Sequence, residues 1–306
     1  MTWKRLRRLL SDRLKRAADA AAGRAAALVL AIIHRFDRVA ISNMGGALMR
    51  TVGPLLREHR IGRDNLRAAF PEKTDAEIET ILRGVWDNLG RYGAEIAHLD
   101  HICSGDPYKR TYVDYTPDSI ARFLRLKDDG KPALVFAAHL ANWELPAVIA
   151  ASDGLESTVL YRRPNLGAVA DAVIALRKEM MGEMVASSLG APVALARALD
   201  RGRHVAMLVD QHYTRGIEVT FFGRTCKVNP LIAMLAREAE CPIHGTRVIR
   251  LPGNRFRGEI SEEVKPVRDA SGRIDVQGTM QAITDVVEGW VREYPEQWLW
   301  VHRRWR

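Results

Sequence analysis

Ala133-Leu134-Val135-Phe136-Ala137-Ala138-His139-Leu140-Ala141-Asn142-Trp143-Glu144-Leu145-Pro146 decides the fold. Residues 133–137 form a short apolar run of the kind shown by a parallel strand buried on both faces. Pro146 is welcome in the first turn of a helix, where no intrahelical donor is lost. The stretch therefore reads as strand, turn, helix. Further strand-like runs lie at 158–161, 205–209, 243–249 and 256–260. Helices are predicted over roughly 166–188, 279–293 and 120–126. A longer one over 74–96 starts at a Thr74/Glu77 capping box and carries Ile78, Ile81, Leu82, Val85, Leu89 and Tyr92 at helical spacing. Residues 298–301 close the chain in extended form. Strands alternating with helices predict an α/β fold: a layered domain whose central sheet is mixed but largely parallel and flanked by helices. Its chemistry is expected in loops at the carboxyl ends of strands.

Upstream of this domain, assigned to residues 58–306, residues 1–57 are expected to form amphipathic, membrane-associating helices. Lys4, Arg5, Arg7, Arg8, Arg13, Lys15 and Arg16 precede the apolar run 25–33. That run falls far short of the ~20 residues a spanning helix needs. Arg35 and Arg38 follow at once, with no convincing cleavage site, which argues against a secretory signal. Basic residues at anionic headgroups, with Leu, Val and Ile at the acyl boundary, fit an interfacial anchor. An ordinary amphipathic helix packed on the domain has the same period.

The formal charge of +9 calls for an anionic partner: nucleic acid, anionic lipid or an acidic carrier protein. No nucleic-acid motif is present, and the basic residues sit among apolar helices and tryptophans. The three cysteines are widely separated and lack C-x-x-C spacing, so neither a disulfide framework nor a zinc site is expected.

Acyl transfer to a hydroxyl needs a base for the hydroxyl proton and an acid to orient that base. The pattern H-x-x-x-x-(D/E) could supply both, but His59/Asp64, His101/Asp106 and His139/Glu144 all satisfy it. Five residues along a continuous helix subtend ~500°, so the pair converges only across a turn. Only His139 and Glu144 follow a buried strand and precede a helix, which selects them as the catalytic pair. Arg162, after the next strand, is expected to clamp phosphate or an oxyanion; a solvated arginine is the alternative. Asp210 and Gln211, ending the third strand, are expected to shape an acceptor pocket. Asp210 and His212 alone are too few for a metal site. Phe221 and Phe222 read as core or acyl-contact wall. In the tail, Arg303 and Arg304 beside tryptophans fit a lipid headgroup, with core packing as the alternative for Trp298 and Trp300.

Taken together these motifs resemble the bacterial lipid A biosynthesis acyltransferases. The resemblance runs through Asp64-Asn65-Leu66-Arg67, Trp86-Asp87-Asn88-Leu89-Gly90-Arg91, residues 139–144, Tyr161-Arg162, Asp210-Gln211, Phe221-Phe222-Gly223 and the Trp298–Trp305 ending. It implies direct transfer of an acyl chain from acyl carrier protein to a hydroxyl of an anionic lipid A precursor. The implied location is the cytoplasmic face of the bacterial inner membrane. His139 would be the base, Glu144 its orienting acid and Arg162 an anion ligand, with no metal or organic cofactor. Residues 163–168 and the N-terminus depart from the family pattern. An acyltransferase for another glycolipid or glycerolipid, such as a phosphatidylinositol mannoside, shares the motif. A catalytically inactive, membrane-surface lipid-binding protein is the reading outside enzymes.

Overall fold

The computed structural model describes residue 18 and residues 20–163 and 169–305. The basic cluster between Lys4 and Arg16 lies outside them. The apolar run 133–137 forms β2 (Leu134–Ala137), which lies mid-sheet with strands on both sides. It pairs in parallel with β5 (His204–Leu208) on one side and β8 (Ile243–Leu251) on the other. Beyond β5 lie β3 (Ser157–Tyr161) and then β4 (Glu183–Ala186), both parallel to their neighbours. Beyond β8 lie β9 (Arg255–Glu263), antiparallel to it, and β1 (Val113–Tyr115), parallel to β9. The seven-stranded order β1-β9-β8-β2-β5-β3-β4 is thus parallel except at one hairpin. The sequence predicts this mixed, largely parallel sheet.

Helices cover the sheet as predicted. After β2 comes α7 (Leu145–Ser152), with proline at its start; α11 (Val276–Glu293) and α6 (Pro117–Asp128) also sit close to their expected places. The helix α4 (Asp75–Glu95) begins with the expected reciprocal cap: Thr74 N–H donates to Glu77 Oε2 at 2.8 Å and Glu77 N–H to Thr74 Oγ1 at 3.3 Å. The core gathers β2, β5 and helix residues with Phe136, Phe221, Trp298 and Trp300 among its buried members.

Two predicted elements differ. The helix expected over 166–188 is α8 (Val169–Met180), after which Gly182 at φ +73° turns the chain into edge strand β4. Apolar periodicity continues through that turn, which hid it. Residues 298–301 do not form a strand; Trp298 makes one isolated antiparallel bridge to Leu140. Residues 217–228 form a separate hairpin, β6 (Ile217–Phe221) and β7 (Arg224–Val228). Phe222 and Gly223 turn it, both with positive φ as a two-residue hairpin turn demands.

At the N-terminal end, residues 20–33 are helical and α2 (Arg38–Val52) follows. The second of these packs on α4, where Gly45 faces Gly90 so closely that a Cβ on either would strike the other's carbonyl. Its buried Arg38 donates to the Asn254 carbonyl at 3.1 Å. The opposite side leaves Met44, Leu48 and Val52 exposed, as Leu28, Val29 and Ile32 are on the preceding helix. No helix among the described residues is long and apolar enough to cross a membrane.

Candidate active site

Parallel pairing sets the site. Ala137 lies opposite Leu208, each at the end of its strand. His139 and Asp210 each follow two residues later, so the register delivers them side by side. Nδ1 of His139 lies 2.7 Å from Asp210 Oδ1, and the His139 backbone N–H donates to Oδ2 at 2.8 Å. Asp210 Oδ2 also accepts from the Trp298 indole at 2.7 Å. Burial opposes ionisation of Asp210, but the facing imidazole and these donors outweigh it and hold its carboxyl down at about 2. A carboxylate on Nδ1 fixes the proton there and leaves the Nε2 lone pair free to act as base. Gln211 Nε2 lies 3.1 Å from that nitrogen.

The loop carrying His139 is held against its own preference. Ala141 has φ +49°, a region costly for a residue with a Cβ. Its N–H donates to the Gln297 carbonyl at 2.8 Å, and its own carbonyl accepts from Asn88 Nδ2 at 3.2 Å. The His139 carbonyl accepts from Leu299 N–H at 3.1 Å. The C-terminal segment therefore clamps the loop from outside the sheet.

Glu144 departs from the sequence expectation. It is buried at the start of α7 and makes no hydrogen bond to His139. It pairs instead with Arg177 of α8, and the Tyr92 hydroxyl of α4 donates to it at 2.8 Å. Burial, then the adjacent Glu144 carboxylate, pushes the Tyr92 hydroxyl well above its ordinary range. Trp143 bridges the two groups, stacked on Tyr92 at 3.8 Å and tilted against His139 at 5.1 Å. The physical reason is the turn: Nδ1 faces the neighbouring strand end, where Asp210 is closer in register than any residue of α7.

These groups line a cavity of about 1540 Å³, larger than the roughly 300–1,000 Å³ of ordinary small-molecule sites. Its walls are mainly apolar, among them Phe123, Leu126, Ile149, Val159, Met181 and Val248. Polar side chains on the lining include His139, Trp143, Glu144, Arg177, Arg162 and Gln211. Ala26, Val29 and Leu30 of the N-terminal helix contribute to the lining.

The other expected residues divide. Arg162 lines the cavity at the end of β3, exposed and without an ion pair among the described residues, whereas Arg163 binds Asp171 at 2.7 Å. Asp210 is no acceptor contact: it is buried behind His139 with its oxygens engaged. Arg304 is buried over the Phe221 ring at 5.0 Å, donates to the Lys227 carbonyl at 3.2 Å, and is absent from the lining, so it cannot reach a headgroup there. Arg303 is exposed and also outside the lining. Trp298 and Trp300 are core residues. His59 is spoken for by Trp86 Nε1 at 3.0 Å and Glu79 at 3.1 Å, so its match to the pattern is incidental. Asn65 explains its motif by donating to the Trp300 and His302 carbonyls. Tyr92 and Arg177 were missed because each sits in a helical pattern that reads as ordinary surface or core. Burial raises all three thiols, Cys103 to about 12 and Cys241 to about 11, and none lines the cavity.

An imidazole backed by a buried carboxylate, on the wall of a large and mainly apolar cavity, is the arrangement of an enzyme that needs a general base beside an apolar substrate. The family model for bacterial lipid A biosynthesis acyltransferases matches residues 14–306, and the chain belongs to that family. It is an acyltransferase of lipid A biosynthesis. No curated protein matches it.

Proposed function

We propose that the protein moves a fatty acyl chain from acyl carrier protein to a hydroxyl of an anionic lipid A precursor, with His139 as base and Asp210 as the residue that positions it. The observation that carries this reading is the His139–Asp210 contact of 2.7 Å at the apolar cavity. The acceptor hydroxyl gives its proton to His139 Nε2 as its oxygen attacks the thioester carbonyl. The new C–O bond forms, the C–S bond breaks, and the departing thiolate takes the proton from the imidazolium. Gln211 yields its place at Nε2 to the acceptor. Asp210 keeps the imidazole in one tautomer and supports its charge. Raised thiols away from the cavity favour direct transfer over an acyl-cysteine.

Glu144 acts through its partners, holding Arg177 and Tyr92 at the cavity wall, where the guanidinium faces anionic substrate groups or the developing oxyanion. Arg162 binds a substrate phosphate at the rim. The exposed apolar residues of the two N-terminal helices lie against the cytoplasmic face of the inner membrane.

The test is transfer in detergent micelles from a long-chain acyl carrier protein thioester to a purified lipid A precursor, read by mass spectrometry. A mass gain of one acyl group that disappears in His139→Ala is expected. No gain with wild type, or an undiminished rate in His139→Ala, overturns the reading.

A further inference from the structure

His34, His98 and His101 each bring one ring nitrogen within 4.8 Å of the other two. His34 follows directly on the helix of residues 20–33, and His98 and His101 sit three apart around α5 (Leu99–Cys103), on one face. Nδ1 of His98 lies 3.5 Å from Nδ1 of His101. Two nitrogens bound to tetrahedral zinc at 2.0–2.1 Å are spaced by about 3.3 Å. Asp100 Oδ2 lies 3.0 Å from His34 Nε2 and 3.8 Å from His101 Nε2. A carboxylate on the far nitrogen is the usual support of a metal-binding imidazole. His98 is fully buried, and its Nε2 has no hydrogen-bond partner.

We propose that His34, His98 and His101 form a binding site for a divalent transition cation, zinc foremost, with Asp100 as supporting or fourth ligand. The site lies far in chemistry from acyl transfer. Its consequence is mechanical: the cation ties the end of the N-terminal helix to the segment after α4. That helix supplies Ala26, Val29 and Leu30 to the cavity wall. This proposal does not depend on the acyl-transfer mechanism.

The test uses tag-free full-length protein, stripped with chelator and titrated calorimetrically with zinc chloride. One equivalent is expected to bind saturably, and cobalt(II) in its place to give the visible bands of a tetrahedral site. The His34→Ala/His101→Ala pair alters two residues that are not in the core, and keeps His98 and all remaining histidines. It should lower zinc affinity at least tenfold and abolish the zinc-dependent rise in Tm, with an unchanged circular dichroism spectrum. His101→Gln alone serves if the pair fails to fold. Absence of one-equivalent binding in wild type, or unchanged binding in these variants, overturns the proposal.

Discussion

Trp298 donates its indole N–H to Oδ2 of Asp210 across 2.7 Å, bringing the C-terminal segment to the carboxylate that holds His139. Trp298→Phe keeps the aromatic packing and removes that donor. Loss of a hydrogen bond to a buried charge should cost about 1.5–3 kcal/mol in chemical denaturation. It should also raise the Asp210 pKa from about 2. An acid depressed below its ordinary 3.8 gives stability that is complete above that value and lost as pH falls toward about 2, because the unfolded chain binds a proton there that the folded chain does not. The variant should therefore lose its stability advantage at higher pH than wild type. Superimposable acid-unfolding profiles would show the indole to be only packing.

Asp210→Asn separates the two carboxylates that could serve His139. Asparagine fits the same space but leaves the imidazole free to adopt the wrong tautomer. Turnover should fall by about 10²–10⁴, as for loss of the base itself. The His139→Ala/Asp210→Asn pair should be little worse than either alone. Glu144→Gln should behave differently: it takes the carboxylate partner from the partly buried Arg177, so a stability loss of about 1–3 kcal/mol should accompany any loss of rate. A Glu144→Gln loss as large as that of Asp210→Asn, at full stability and absorbed into the loss of His139→Ala, would restore Glu144 as a direct partner of the imidazole.

That partition was only half legible in the sequence. The run 133–137 and its sequel announced a strand-end loop, and His139 could be separated from His59 and His101 by asking which pattern crossed a turn. Asp210 was visible as a polar residue ending another strand. What placed it under His139 was that β2 and β5 are neighbours in one register, a long-range fact that local periodicity does not carry. The tail is the converse case. Tryptophan and arginine have the same composition in a membrane-interface patch and in a core, and only the packing of Trp300 and Arg304 against Phe221 and Phe222 tells them apart.

Arg162 and Arg304 should accordingly part company in kinetics. Arg162→Ala is expected to raise the acceptor KM with a smaller change in kcat and little change in Tm, since the side chain is exposed and unpaired. Arg304→Ala removes a buried stem and a carbonyl contact, and burial already depresses its pKa. It should cost about 1–3 kcal/mol of stability while leaving the acceptor KM unchanged. Arg303→Ala should change neither. A raised acceptor KM in Arg304→Ala, at full stability, would put the tail back in contact with substrate.

Met44 and Leu48 project from α2 on the side away from α4 and are exposed despite being large and apolar. If this surface lies in the headgroup region, the pair Met44→Glu/Leu48→Glu should weaken partitioning into vesicles of anionic phospholipid by at least tenfold. Stability and transfer to detergent-dispersed acceptor should be retained, because neither side chain lines the cavity. Unaltered vesicle binding would shift the contact to the segment that precedes residue 18.

Arg162 and Arg215 are both exposed residues of the cavity lining, on loops after β3 and β5. Acyl carrier proteins are acidic, so a donor of that kind should meet these charges as its thioester enters. Such docking governs encounter and is screened over a Debye length of ~8–10 Å in physiological salt. Raising salt should therefore raise the KM for the carrier-protein thioester while leaving kcat largely unchanged at saturation. Arg215→Glu should do the same at low salt, and the two effects should overlap rather than multiply, since salt has less attraction left to screen. Acyl-coenzyme A lacks the protein surface and should be the poorer donor, with a smaller response to Arg215→Glu. Initial rates against donor concentration, at several salt levels with acceptor held in fixed micelles, measure all of these quantities. Equal efficiency for the two donors, with no salt dependence for the carrier protein, would exclude docking by charge and favour a donor recognised through its acyl chain alone.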